Sequence, residues 1–223
     1  MHLKRQQAPK SWPVERKGTA YLVKPSFNTK NGVPILIILR DLLKVAKNRK
    51  EVKKAIGLKQ ILINNKSVKD EKNPVLLFDV VTIIQAENEN STKNQTYKIV
   101  LSKKGKINVD KIKENDVVKK ISKVISKKIL KGRKVQLNLS DGRNFISEIK
   151  CNINDSVLIN FKEKPEIEKC LPLKEKKKIL VFAGKHAGNE GIIDKLHSQN
   201  KMAEVIIDGK KISVLIKQII VLD

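Results

Sequence analysis

The residues most able to do chemistry are cations. Between residues 40 and 54, Arg40, Lys44, Lys47, Arg49, Lys50, Lys53 and Lys54 face only two acids, Asp41 and Glu51. Such a one-signed cluster neutralises phosphate charge and releases the counterions condensed on a polyanion. A surface shaped for solubility alone would mix signs. Nucleic-acid contact is therefore the first reading, and an ordinary helical hairpin with a solvated face the plainer one. Other chemistries find little support. Cys151 and Cys170 cannot build a structural zinc site by themselves, and His2, His186 and His197 are scattered. Asp141 is accounted for by an Asp-Gly turn. No nucleophile–base pair or cofactor loop stands out, so neither catalysis, metal, cofactor nor small-molecule substrate is expected.

The cations need elements to position them. Pro34 suits the first turn of a helix. Ile35, Ile38, Leu39, Leu42, Leu43 and Ala46 then recur at helical spacing. Asn48 reads as the N-cap of a second helix, with Glu51 three residues on, as in a capping box. Val52, Ala55 and Ile56 form its apolar stripe, Lys50, Lys53 and Lys54 its other face, and Gly57 its stop. Ile61-Leu62-Ile63, Asn64-Asn65 and Lys66-Ser67-Val68 read as strand, turn and strand, Asn tolerating the left-handed conformation such a turn needs.

Across 223 residues, 48 Lys and Arg against 23 Asp and Glu leave a net charge of +25. Hydrophobic residues at 40% are too many for a disordered basic tail, and aromatics at 4% too few for single-strand binding by base stacking. Recognition of folded RNA by backbone and shape fits better. No apolar run is long enough to span a membrane, and the basic start has no apolar core of a secretory signal. A cytoplasmic protein with no membrane partner and two reduced thiols is expected.

In chain order, residues 1–32 are basic and broken by Pro9, Pro13 and Pro25. They read as an arm that orders on RNA, with Trp12 as anchor and Lys4, Arg5, Lys10, Arg16 and Lys17 as contacts, or else as a frayed terminus. Residues 33–84 are the two-helix module and 85–95 a polar linker. Residues 96–172 read as a β-rich central domain. Tyr97–Leu101 is a strand and Lys103-Lys104-Gly105-Lys106 a basic turn. Val117–Ile129 fits helix and strand periodicities alike, with β-branched residues favouring strand. Gly132–Leu139 alternates as a strand before the turn at Asp141-Gly142. Residues 103–134, which include Arg133 and Lys134, hold 13 Lys and Arg against 3 Asp and Glu and read as a second RNA-facing surface, or more plainly as a soluble β-domain with basic loops; Arg143 is a further candidate RNA contact. Residues 173–223 show short strands with glycine turns. Gly184-Lys185-His186-Ala187-Gly188 lacks the Gly-Lys-Ser/Thr ending and following helix of a nucleotide loop.

The order helix, Asn48-Arg49 turn, Glu51-Val52-Lys53-Lys54 helix and Ile61–Lys66 hairpin resembles the RNA-binding module named after bacterial small-subunit ribosomal protein S four. Asn65 stands where that family usually has Gly. The resemblance implies that Arg49, Lys50, Lys53, Lys54 and Lys66 face RNA phosphates. The Gly184–Gly191 segment between two strands resembles the KOW motif of ribosomal proteins and elongation factors, which implies a bend at Gly191 and RNA contact through Lys185 and His186. Taken together, Ala8–Pro13 (APKSWP), the module, Gln136–Asn144 and Ile179–Leu196 resemble the archaeal and eukaryotic small-subunit ribosomal protein S-four-e family from about residue 8 to 222. Its implied fold class is α+β: the module, a β-rich middle and an SH3-like KOW barrel, ending as archaeal members do. The implied role is a structural constituent of the small subunit. Its partners would be ribosomal RNA, met through the residues above together with Arg40, Lys44, Lys47 and Asn48, and neighbouring ribosomal proteins. A transient assembly or elongation factor is the alternative, and an RNA-modifying enzyme a remoter one.

Overall fold

The computed structural model describes residues 2–88, 91–112, 118–162, 164–197 and 199–222, with the backbone alone at 85–88, 91–93 and 133. Two compact units emerge, Met1–Val100 with Lys106–Val118, and Leu101–Gly105 with Lys119–Asp223. The described residues are β-rich, with two short α-helices against nineteen strands.

In the first unit, β1 (His2–Lys4) pairs with β2 (Tyr21–Val23) and β3 (Val33–Pro34) leads into helix α1 (Ile35–Ile37). Helix α2 (Arg49–Gly57), β4 (Ile61–Ile63), β5 (Lys66–Ser67) and β6 (Pro74–Val75) follow, then β7 (Val80–Asn88), β8 (Ser91–Leu101) and β9 (Ile107–Lys111). The main sheet runs β5-β4-β7-β8-β9, and β3 pairs with β6. Ile35 to Leu39 are all buried, so the first helix is enclosed on every side instead of presenting one stripe. Pro34 stands ahead of it in β3 and not inside its first turn. Its continuation, Ile38–Leu42, is a wide turn in which Leu43 N–H donates to Ile38 C=O at 2.8 Å. The helical run stops before Ala46, because Lys44 takes φ 55°. The α2 cap forms as predicted: Asn48 Oδ1 accepts Glu51 N–H at 3.0 Å, and the Glu51 carboxylate accepts Asn48 Nδ2 at 2.8 Å and Lys47 N–H at 2.7 Å. At the other end the left-handed residue is Lys59, φ 56°, and Gly57 remains in the helix. The hairpin turn uses positive φ at both Asn64 (48°) and Asn65 (61°), which matches the strand twist. Asn64 is buried; it donates to Asp79 Oδ1 at 2.7 Å and accepts Val80 N–H at 3.0 Å.

Two sequence expectations fail in this unit. The basic arm is ordered by its own contacts: Arg5 donates to Thr19 O at 2.6 Å, Glu15 O at 2.5 Å and Thr19 Oγ1 at 3.0 Å. Ser11 C=O accepts Ile107 N–H at 2.8 Å. Residues 85–88 and 91–95, read as a linker, lie in the arms of the β7–β8 hairpin. Backbone pairing does not require apolar side chains, so polar composition could not separate a hairpin arm from a loop.

The second unit holds two five-stranded antiparallel sheets. The first comprises β10 (Lys119–Ile129), β11 (Val135–Leu139), β12 (Asn144–Ile146), β13 (Ser156–Asn160) and β14 (Glu166–Leu171), in the order β12-β11-β10-β13-β14. The other comprises β15 (Lys178–Val181), β16 (Glu190–His197), β17 (Met202–Ile207), β18 (Lys210–Leu215) and β19 (Ile219–Val221), in the order β18-β17-β16-β15-β19. Tyr97–Val100, assigned from sequence to the central domain, instead extends the first unit's sheet as part of β8. Ile179, Val181, Ile193, Val205 and Val221 form a core that also takes Leu171 from β14. Gly191 is required by crowding, since a Cβ there would lie 2.6 Å from Ile206 O. Cys151 is buried, Cys170 partly so, and both are free thiols.

The two sheets are joined by buried polar groups. Lys123, 3% exposed, donates from Nζ to Ile219 C=O at 2.8 Å and also to Ile216 C=O. Ser156 Oγ accepts Val221 N–H at 2.9 Å. No carboxylate pairs with Lys123 among the described residues, and burial pushes its amine down to about 8. Between that value and the ordinary 10.5 the unfolded chain binds more protons than the folded one, so stability from this group rises with pH. Replacing Lys123→Met removes the titration. Relative to that variant, the native chain should gain about 2 kcal/mol between pH 7 and pH 10, read from urea midpoints. A pH-independent difference would rule out a buried cation at this join.

Candidate nucleic-acid interface

Helix α2 buries Val52 and Ile56 and turns Arg49, Lys50, Lys53 and Lys54 outward. Lys44, Lys47 and Lys66, on the flanking segments, are exposed as well. The Asn48–Glu51 cap fixes where the helix starts and therefore where these cations point. Asn48 is itself exposed, but its side chain is spent on that cap. Arg49 is not a free cation. Its guanidinium donates through Nε at 3.1 Å and through Nη2 to the buried Glu71 carboxylate, and Lys53 Nζ stands 4.0 Å from the same oxygen. Burial works against the charge on Glu71. Hydrogen bonding to Asp70 and Arg49, with the Arg49 charge, nevertheless holds the carboxyl down at about 2. The acid thus orients Arg49 at the helix start. Sequence reasoning missed Glu71, since an acid beside Asp70 in a loop between lysines carries no spacing signal. Arg40 makes a two-pronged contact with Asp41, both bonds 2.8 Å, which raises its pKa.

In the arm, Lys4, Lys10, Arg16 and Lys17 are exposed and available. Arg5 is used internally, as described above. Trp12 is 2% exposed, and its Nε1 has no hydrogen-bond partner among the described residues. It is a core residue and not an anchor for RNA.

In the second unit Lys134 and Lys185 are exposed and His186 is half-buried. The Arg133 side chain lies outside the described residues. Arg143 is drawn inward: its guanidinium sits 4.4 Å over the Phe161 ring and 3.9 Å from Asp141. Asp141 does make the predicted turn, accepting Arg143 N–H at 3.1 Å, but it is also buried against Lys120 at 3.1 Å. Within the basic run of residues 103–134, Lys120 and Lys123 of β10 point into the unit. Among the described residues no group of three His, Cys, Asp or Glu could hold a metal ion, and no helix is long and apolar enough to cross a membrane.

The model of Ribosomal family S4e matches residues 93–165, and that of the RS4NT (NUC023) domain matches residues 1–27. The small ribosomal subunit protein eS4 of Archaeoglobus fulgidus is 35% identical over 195 residues, spanning 86% of this chain and 79% of that protein. The eS4 of Natronomonas pharaonis is 31% identical over 232 aligned residues, spanning 100% of this chain and 94% of that one. The chain belongs to the eS4 family. The crystal structure of the 30S ribosomal protein S4e from Thermoplasma acidophilum has the eS4 fold seen here, with a TM-score of 0.71 at 23% identity, covering 86% of this chain and 95% of that one.

The Glu71 site gives a measurable consequence. Its folded pKa lies below the ordinary 4.5, so its stabilisation is present above pH 5 and is lost as pH falls toward 2. Glu71→Gln should lower stability at pH 7 by roughly 2 kcal/mol, discounting for the half-exposed Arg49. The variant and native denaturation curves should converge near pH 2. Curves that stay parallel across this range would exclude the ion pair as the cause.

Proposed function

We infer that this chain is a structural constituent of the small ribosomal subunit, binding ribosomal RNA and so supporting translation. The observation that carries this is identity of 31% to an eS4 protein along the full length of the chain. Residues 33–84 act as the S-four-type RNA-binding module, and residues 173–223 as an SH3-like KOW barrel. The helix start at Asn48, the outward lysines of α2 and the asparagine hairpin support the first assignment. The strand–glycine loop–strand order of β15 and β16 supports the second.

The mechanism is charge neutralisation on a pre-shaped surface, without catalysis. Lysines are point charges that fit phosphates without selecting bases, and few aromatics are available for stacking. Lys4, Lys10, Arg16, Lys17, Lys44, Lys47, Lys50, Lys53, Lys54, Lys66, Lys134 and Lys185 are the contacts, with Arg49 presented by Glu71. Neighbouring ribosomal proteins complete the setting, on cytoplasmic ribosomes.

Two measurements test this. In sucrose gradients of cell lysate the protein should travel stoichiometrically with the small subunit and whole ribosomes after a moderate salt wash. Recovery only with immature particles would favour an assembly factor, and absence from all ribosomal fractions would refute the assignment. Separately, the Lys50→Ala, Lys53→Ala, Lys54→Ala triple variant should bind small-subunit ribosomal RNA more weakly, with a salt slope shallower by about 2 to 3. An unchanged slope would remove α2 from the interface.

A further inference from the structure

Two turns far apart in sequence meet in the second unit. In the first, Gly105 N–H donates to Ser102 C=O at 2.8 Å, which puts Lys103 and Lys104 at the tip. In the second, Ala187 N–H donates to Gly184 C=O at 3.3 Å, which puts Lys185 and His186 at the tip. The turns touch through their glycines. Gly188, at φ 89° and with its N–H on Val181 C=O at 2.7 Å, lies so close to the Ser102 carbonyl that any Cβ would collide with that oxygen. A Cβ on Gly105, φ 71°, would come within 3.1 Å of Ala187 Cβ. Glycine at 188 is therefore needed twice, for its backbone conformation and for the approach.

The charges at these tips are unmatched. Lys103, Lys104 and Lys185 are all exposed, and none has a hydrogen bond or ion pair to a carboxylate among the described residues. No acid occurs in residues 100–109 or 182–189. Elsewhere on the same unit some exposed lysines are matched: Lys119 to Glu168 at 2.9 Å, Lys178 to Glu190 at 2.7 Å and Lys211 to Asp194 at 2.6 Å. Three like charges carried on two touching turns without a counter-ion repel one another, and a run of phosphates relieves that repulsion.

We propose that the Ser102–Gly105 and Gly184–Gly188 turns form one composite contact for the sugar–phosphate backbone of folded RNA, assembled by Gly188. The contact rests on the RNA-binding reading above and adds a second site to that of α2. Its charged donors are ammonium groups with no guanidinium fork, and the His186 ring beside them is half-buried, so it takes backbone phosphates irrespective of base. Gly188 is a positioning residue that touches no RNA.

The test uses the full-length chain and a small-subunit ribosomal RNA transcript, with affinity measured across a range of salt. The Lys103→Ala, Lys104→Ala, Lys185→Ala triple variant should make the salt slope shallower by about 2 to 3, and Gly188→Ala should do so too although it removes no charge. A native slope in the triple variant overturns the proposal. If the native chain itself shows no salt-dependent binding, the RNA-binding reading fails instead. Because Gly188→Ala could unfold the unit, a second measurement stands apart from it. Iron–EDTA is attached at Lys104→Cys or, separately, at Lys185→Cys, and RNA cleavage is mapped against the similarly treated native chain. Overlapping cleavage supports one composite contact, and cleavage at disjoint places, or at none, overturns it.

Discussion

The second unit depends on an amine that has been taken out of water. Lys123 Nζ reaches two carbonyls of the closing segment, Ile216 and Ile219, and ties the sheet holding β10 to the sheet holding β19. Burying an ammonium without a carboxylate costs free energy, reflected in its depressed pKa. Hydrogen bonds to both carbonyls offset part of that cost. Ser156, accepting Val221 N–H, makes the same join one strand away. The ends of β19 are therefore held by side chains of the other sheet as well as by the ladder with β15. Two sheets that could have been separate domains share one core, with Leu171 packed among the residues of β15 to β19.

A related economy governs the basic surface. Not every cation in a chain of net charge +25 is spent on a partner. Lys120 is buried against Asp141, Arg5 closes the arm hairpin, Arg40 is held by Asp41 and Arg143 covers Phe161. Arg49 has both roles, facing outward at the start of α2 while its guanidinium is aimed by Glu71. Fixing a long side chain before binding spares the entropy of ordering it later.

Much of the fold near α2 could be read from the sequence because its signals are local. Asn48 with Glu51 makes a cap, Asn64-Asn65 a turn with positive φ, Asp141-Gly142 another, and each depends on neighbours within a few residues. The strand β10 was ambiguous by periodicity and was settled by its pairing with β11 and β13. What could not be read was long-range. Trp12 looks like an exposed anchor in a basic, proline-rich stretch until the arm packs. Lys120 and Lys123 look like neighbours in a charge run until strand alternation and two distant partners bring them inside. The polar residues 85–88 and 91–95 give no apolar signal, because a hairpin is held by its backbone.

The contact between Ser11 and Ile107 sets an order of events during synthesis. Ser11 adjoins the buried Trp12, and its carbonyl is satisfied by a strand made much later in the chain. The segment around Ser11 thus emerges from the ribosome well before the strand that secures it. Closing so long a loop costs entropy and slows folding. Meanwhile the Arg5 bonds to residues 15 and 19 need only nearby chain and can form early. The arm can therefore wait as a local hairpin until β9 arrives to receive it.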